Sequence, residues 1–237
     1  MAKHFAAFDI DGTVIRWQLY HAIGDAMAKK GLIDDGTYQK VRNARMNWKV
    51  RDNDDAFLEY ESQLVVAFDV GLKGMPVEQF NKLVDDVFSV YHKQVHTYTR
   101  DLIQELKEKD YLLFAVSGSP DMIVRKFVEH YGFDDFAATN YQIKDNKHTA
   151  IKDISLGKKS ELLINLIAKH GATKKGSIAI GDTESDIGML ELVENPIAFN
   201  PTKKLFQHAQ QQGWKIVIER KNMVYEMEQV DGKYILA

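Results

Sequence analysis

The chain has 237 residues, 45% hydrophobic and 27% charged, with a formal net charge of -3 and no cysteine. That length can bury one large core or two smaller ones, and the absence of thiols excludes disulfides, cysteine nucleophiles and thiolate metal sites. The near balance of charge, with no basic run, implies no nucleic-acid partner.

The first apolar run, His4-Phe5-Ala6-Ala7-Phe8, has the length of a buried parallel strand and stops at Asp9-Ile10-Asp11-Gly12-Thr13. An acidic pair directly after so short a run does not fit a signal peptide. No stretch approaches the roughly 20 apolar residues of a membrane span, so no membrane partner is implied. The expectation is a soluble cytoplasmic protein. Two carboxylates one residue apart at a strand end point the same way, and Gly12 lets the backbone turn sharply and approach a ligand. Ligands of open α/β sheets sit just beyond the carboxyl ends of strands. Taken alone, the stretch reads equally well as an acidic surface turn.

Four helical patterns follow without a strand between them. They carry Leu19, Ile23 and Met27 before Gly31, then Val41, Ala44 and Trp48, then Phe57, Leu64 and Phe68 before Gly71, then Phe80, Leu83, Val87 and Tyr91 after Pro76. Such a run makes a bundle. The alternation of helix and strand then resumes with a charged helix over Asp101–Lys109 and a continuous apolar strand over Tyr111–Val116. A helix with Met122, Ile123, Phe127 and Val128 comes next, and the Asp145-Asn146 step suggests a hairpin. A helix over Lys159–Lys169, a strand over Ser177–Ile180 and strands at Ile197–Phe199 and Lys215–Ile218 complete the pattern, with a last hairpin at Asp231-Gly232. The chain therefore reads as a parallel α/β core of residues 1–15 and 97–237, interrupted by a helical insertion at 16–96.

Three further segments fall at strand ends or helix starts. In Ser117-Gly118-Ser119-Pro120, Ser119 is a natural N-cap before Pro120, and the N–H groups and the Ser117 hydroxyl suit an anion; an ordinary capped helix has the same pattern. Gly157-Lys158-Lys159-Ser160 puts two lysines at a helix start, which the helix dipole disfavours unless one faces a phosphate; a solvated turn is the plain alternative. Gly181-Asp182-Thr183-Glu184-Ser185-Asp186 sets two acids four apart, on one face if the helix has begun, or simply an acidic helix start.

In that order the four segments resemble the motifs of the haloacid dehalogenase superfamily of hydrolases, in its phosphoserine phosphatase-like branch. The resemblance implies a Rossmann-like parallel sheet core with a helical cap, or lid, between the first and second motifs, and a phosphatase acting on a small phosphorylated metabolite. The dehalogenases lack a second acid at the position of Asp11, which favours phosphate chemistry here. By the same resemblance Asp9 is the nucleophile and forms an aspartyl-phosphate, and Asp11 is the acid and base. Thr13, Ser117, Gly118 and Lys159 bind the phosphoryl group, Lys159 matching the motif better than Lys158. Mg²⁺ is held by Asp9, Asp182 and the Asp11 carbonyl, with Asp186 behind them or on the lysine. Phosphotransfer to an organic acceptor is an alternative, and non-catalytic phospholigand binding is disfavoured because every catalytic position is filled.

Phosphoserine phosphatases meet the charges of the amino acid with a glutamate early in the cap and an arginine on a later cap helix. Those positions fall at or beside Gln18 and within Glu59-Tyr60-Glu61-Ser62-Gln63, so the resemblance implies a substrate other than phosphoserine, true phosphoserine phosphatase being the alternative. Trp17, Tyr20, Trp48 and Phe57 read as core or as pocket lining, and Arg42, Arg45 and Arg51 as solvated or as ligand-binding. His92 and His96, four apart on an expected helix, have metal-binding spacing but no third ligand nearby.

Overall fold

The computed structural model describes residues 2–50, 55–153, 155 and 157–236; Arg51 lies outside them. In chain order the elements are β1 (His4–Phe8), α1 (Leu19–Lys29), α2 (Asp35–Val50), α3 (Ala56–Leu72), α4 (Val77–Tyr91), α5 (Thr97–Glu108), β2 (Leu112–Pro120), α6 (Asp121–Tyr131), β3 (Asp135–Lys144) and β4 (Lys147–Asp153). There follow α7 (Lys159–His170), β5 (Thr173–Gly181), α8 (Ile187–Leu190), β6 (Asn195–Phe199), α9 (Lys203–Gln212), β7 (Lys215–Arg220), β8 (Met223–Val230) and β9 (Lys233–Leu236). The chain forms two compact units, one of Met1–Arg16, Tyr91–Thr139 and Ile154–Ala237, the other of Trp17–Val90 and Asn140–Asp153.

The first unit is built on a sheet of order β3-β2-β1-β5-β6-β7-β8-β9, parallel from β3 to β7 and antiparallel beyond. Phe5–Phe8, Leu113–Val116, Ala179 and Ile180 are fully buried, as unbroken apolar strands covered on both faces must be. β1 pairs with β2 on one side and β5 on the other, so the chain order reverses around it. Asp9 and Asp182 directly follow β1 and β5, and Ser117 lies in the last part of β2, at the switch point where α/β sheets open a crevice. This is the α/β class that the helix–strand alternation implied.

A local expectation changes at the end of β2. Ser119 is not an N-cap: β2 stays extended through Pro120, which occupies the cap position of α6 with no side-chain capping bond. The reason is a register shift against β3 between Val116 and Pro120, which keeps the chain off the helical path for three more residues. The pairing of β7 with β8 is not foreshadowed in the sequence, because its antiparallel turn closes at Lys221–Asn222 without a glycine. The two hairpins read from the sequence are present, and their turn residues have positive φ (Asp145 50°, Asn146 58°, Asp231 48°, Gly232 74°).

The second unit contains α1–α4 and the far end of the β3–β4 hairpin. Leu19, Ile23 and Met27 form the buried stripe of α1. α3 runs past Gly71, where a Cβ would overlap Met27 and Ile33, so that glycine serves close packing and not helix termination. The aromatic residues pack on one another: Trp48 stacks on Tyr60 at 5.6 Å, and Phe68 meets Tyr20, Phe80 and Tyr141. Asp69 accepts from Tyr141 (2.8 Å) and Lys152 (2.6 Å), fastening the hairpin to α3. A polar cluster lies inside this unit. Arg45 sits over the Trp17 ring at 5.2 Å, His21 pairs with Asp25 at 3.0 Å, and the Tyr38 and Tyr60 hydroxyls bond Asp25 and His21. Arg42 lies over Tyr38. His92 and His96 do not share a helix, because α4 ends at Tyr91. No helix among the described residues is long and apolar enough to cross a membrane.

Candidate active site

Asp9 directly follows β1, and its N–H continues the ladder to the Ile180 carbonyl at 2.9 Å. The chain then folds back through bonds from Gly12 N to Ile15 O and from Val14 N to Ile10 O. Gly12 has φ +80°, and a Cβ there would overlap the Asp182 carboxylate, so a side chain is excluded twice over. Lys159 opens α7, and its Nζ lies 2.6 Å from Asp9 Oδ1 and 2.5 Å from Asp186 Oδ1. Asp9, Lys159 and Asp186 are 3%, 5% and 0% exposed, so this is a buried ion-pair network and not a surface one.

Asp182 and Asp186 do not share a helix face. Asp182 precedes a short 3₁₀ turn, Glu184–Asp186, and Asp186 forms a capping box with Thr183. Asp186 Oδ2 accepts from the N–H groups of Asp182 (3.1 Å) and Thr183 (3.0 Å). Ser117 donates to Asp11 Oδ2 at 3.0 Å and accepts from the Ser119 N–H at 3.0 Å. Thr13 is fully buried with its hydroxyl 3.4 Å from Asp182 Oδ1. Gly118 adjoins Ser117, and its carbonyl accepts from Thr139 Oγ1 at 2.7 Å. The fold thus brings together residues that lie up to 177 positions apart in the chain.

Without a cation the electrostatics are strained. Burial pushes the Asp9 carboxyl up to about 7; Lys159 opposes that shift, and Asp186 and Asp11 add to it. Asp182 is raised well above its ordinary value by burial and then by the charges of Asp9 and Asp186. For Lys159, burial favours the neutral amine, but Asp186 and Asp9 overcome it and hold the ammonium form. Asp9, Asp182 and Asp186 each offer a carboxylate oxygen within 4.8 Å of the others. The oxygens of Asp186 already accept from Lys159 and two N–H groups, which leaves Asp9 and Asp182 to face an ion. An all-carboxylate set with excess negative charge fits a hard divalent cation such as Mg²⁺. An open groove of about 1090 Å³, lined by Tyr98, Glu105, Leu190, Trp214 and Glu226 among others, contains none of these residues, and the chemistry belongs to the acidic cluster.

Residues 6–191 match the family of haloacid dehalogenase-like hydrolases. The chain belongs to this family. It is 26% identical over 200 residues to a phosphoserine phosphatase of Methanocaldococcus jannaschii, spanning 83% of this chain and 85% of that one. It is 23% identical over 230 residues to a histidinol-phosphatase of Neisseria meningitidis serogroup C, spanning 91% and 98%. A solved phosphoserine phosphatase, in its phospho-aspartyl intermediate analogue, superposes with a TM-score of 0.65 at 23% identity over 94% and 96% of the two chains. That likeness is one of fold. Both of these curated relatives are named phosphatases, and this chain is an enzyme of the same superfamily.

Several residues around the site carry no sequence signal. Glu219, its side chain 2% exposed, accepts from Arg16 Nη2 (2.7 Å) and the Tyr98 N–H (2.9 Å), with His96 Nδ1 at 3.4 Å. Burial alone would raise its pKa, but the amides of Tyr98 and Thr97 and the His96 ring hold it below the ordinary value. It ties together the outgoing and returning backbones, which also pair directly from Arg16 N to Gln94 O and from His96 N to Val14 O. Thr99 Oγ1 donates to the Thr13 carbonyl at 3.0 Å. Glu219 lies 203 positions from Arg16, and no local motif could have linked them.

Proposed function

We propose that the chain is a Mg²⁺-dependent phosphomonoester hydrolase that works through an aspartyl-phosphate. The observation that carries this reading is Asp9 at the end of the central strand, ion-paired to Lys159 and beside Asp182, with Asp11 two residues on. An Asp9 carboxylate oxygen attacks phosphorus and forms the acyl-phosphate bond, while the bond from phosphorus to the ester oxygen breaks. Asp11 gives its proton to the departing alkoxide. Asp11 then takes a proton from water, whose oxygen attacks the same phosphorus and releases Asp9 and inorganic phosphate. Lys159, the Gly118 N–H, Thr13 and Ser117 hold the phosphoryl oxygens as charge redistributes. Asp186 keeps Lys159 and the Asp182 turn in place. Asp9, Asp182 and the Asp11 carbonyl would hold Mg²⁺, which would supply charge neutralisation at the phosphoryl group.

The helical insertion, residues 16–96, is assigned the role of cap and the choice of substrate. Gln18 precedes α1 where a phosphoserine enzyme needs an acid, and Glu59–Gln63 holds two acids and no base. A substrate carboxylate would find no partner in that segment, which costs several kcal/mol, on the order of a thousandfold in discrimination, unless Arg45 or Arg51 meets it from another angle. A phosphorylated alcohol without a carboxylate fits better, and the near-complete coverage of the histidinol-phosphatase relative favours an amino-alcohol phosphate. The test is phosphate release from a panel of phosphoserine and of sugar, nucleotide and amino-alcohol phosphates, with Mg²⁺ or chelator. Turnover undiminished by chelator sinks the metal assignment, and phosphoserine leading the panel tenfold sinks the substrate assignment.

A further inference from the structure

We propose that Thr139 and Ser155 are positioning residues that clamp the phosphate-binding segment Ser117–Ser119 from behind. The ladder between β2 and β3 lapses between Val116 and Pro120, so the carbonyls in that stretch need partners from outside the sheet. Two buried hydroxyls supply them. Ser155 Oγ donates to the Ser117 carbonyl at 2.5 Å, and Thr139 Oγ1 donates to the Gly118 carbonyl at 2.7 Å. The residues are 3% and 1% exposed, and their oxygens lie 3.1 Å apart.

Each hydroxyl has one proton, and both protons go to the segment. The contact between the two oxygens is therefore not a further bond when both carbonyls are held. Thr139 Oγ1 accepts instead from the Ser155 N–H at 3.3 Å, which closes the clamp on itself. Fixing two successive carbonyls fixes the peptide planes between them, and with those planes the directions of the Gly118 and Ser119 N–H groups. Thr139 is the last residue before the chain leaves the first unit for Asn140–Asp153, and Ser155 follows its return. Thr99 on the Thr13 carbonyl repeats the device at the other loop of the site. An oriented donor stabilises a transferring phosphoryl group only if it does not reorganise during the reaction. The clamp supplies that rigidity while touching neither substrate nor ion.

The experiment uses Thr139→Val, Thr139→Ser and Ser155→Ala, and its kinetic arm rests on the hydrolase reading. On 4-nitrophenyl phosphate, Thr139→Val and Ser155→Ala lower kcat about tenfold with KM within about twofold, since a donor is misdirected and not removed. Thr139→Ser, which keeps the hydroxyl and loses only a methyl, retains wild-type kcat. The second arm needs no turnover. Amide exchange of the peptide 116–120, followed by mass spectrometry in substrate-free protein, rises about tenfold in Thr139→Val and Ser155→Ala and not in Thr139→Ser. Unchanged exchange in both hydroxyl-free variants overturns the clamp, as does Thr139→Ser being as impaired as Thr139→Val. If the wild type hydrolyses no phosphomonoester while exchange responds as stated, the hydrolase reading fails and the clamp stands.

Discussion

Replacing Asp9, the proposed nucleophile, should make the metal-free protein more stable as it makes it inactive. In the absence of a cation, Asp9 is raised from its ordinary 3.8 to about 7, chiefly by burial. Between those values the native protein keeps a proton that the unfolded chain has released, so stability falls as pH rises through the window. The penalty is absent below pH 3.8, grows toward 7 and is complete above it. About three pH units at about 1.4 kcal/mol each gives up to about 4 kcal/mol. Asp9→Asn is nearly isosteric and has no proton to lose, so it escapes this penalty. Relative to wild type in chelator, its unfolding free energy should therefore rise by up to about 4 kcal/mol between pH 4 and pH 8. Excess Mg²⁺ should narrow the gap, because the ion binds the wild-type carboxylate more strongly and stabilises only the native state. The amide cannot form an acyl-phosphate, and kcat should fall by about a thousandfold or more. Urea unfolding at pH 4, 6 and 8, with chelator and with Mg²⁺, measures the first effect, and 4-nitrophenyl phosphate hydrolysis the second. A stability difference independent of pH would refute the electrostatic reasoning, and retention of a tenth of wild-type turnover would remove Asp9 from the nucleophile's role.

Three further outcomes follow from the same geometry. Asp11→Asn should slow alkyl phosphates by about 10²–10⁴. On 4-nitrophenyl phosphate, whose leaving group needs little acid help, it should give a burst of nitrophenol and then slow turnover, and stopped-flow traces without a burst would argue against the base role in the second step. Ca²⁺ in place of Mg²⁺ should occupy the site yet leave turnover low, because it accepts more ligands, including both oxygens of a carboxylate, and holds Asp9 off line; equal rates in the two ions count against Asp9 as a ligand. Glu219→Ala should lower unfolding free energy by about 2–3 kcal/mol, since the Tyr98 amide and the Arg16 guanidinium lose their buried acceptor. A loss below about 0.5 kcal/mol in urea unfolding would show that water replaces the carboxylate there.

The amino-acid sequence by itself determined what is local. An unbroken apolar strand ending in Asp9-x-Asp11-Gly12, helical periodicity over Leu19–Tyr91 and a positive-φ hairpin at Asp145-Asn146 each depend on neighbours a few residues away, and period and turn chemistry record them. The α/β class followed from their order along the chain. What only the tertiary structure decided is where distant side chains meet. Lys159 reaches Asp9 across 150 positions, and whether a helix-start lysine faces a carboxylate or water is settled by strand order, which no local pattern encodes. The strand ending at Val116 was legible, but its extension to Pro120 was not, because a register shift against β3 outweighs the local preference of Ser119 for a helix cap. The hydroxyls of Thr139 and Ser155 are ordinary in sequence. They acquire a role because a lapse in one ladder leaves two carbonyls in need of donors, and the fold sets those two side chains within reach.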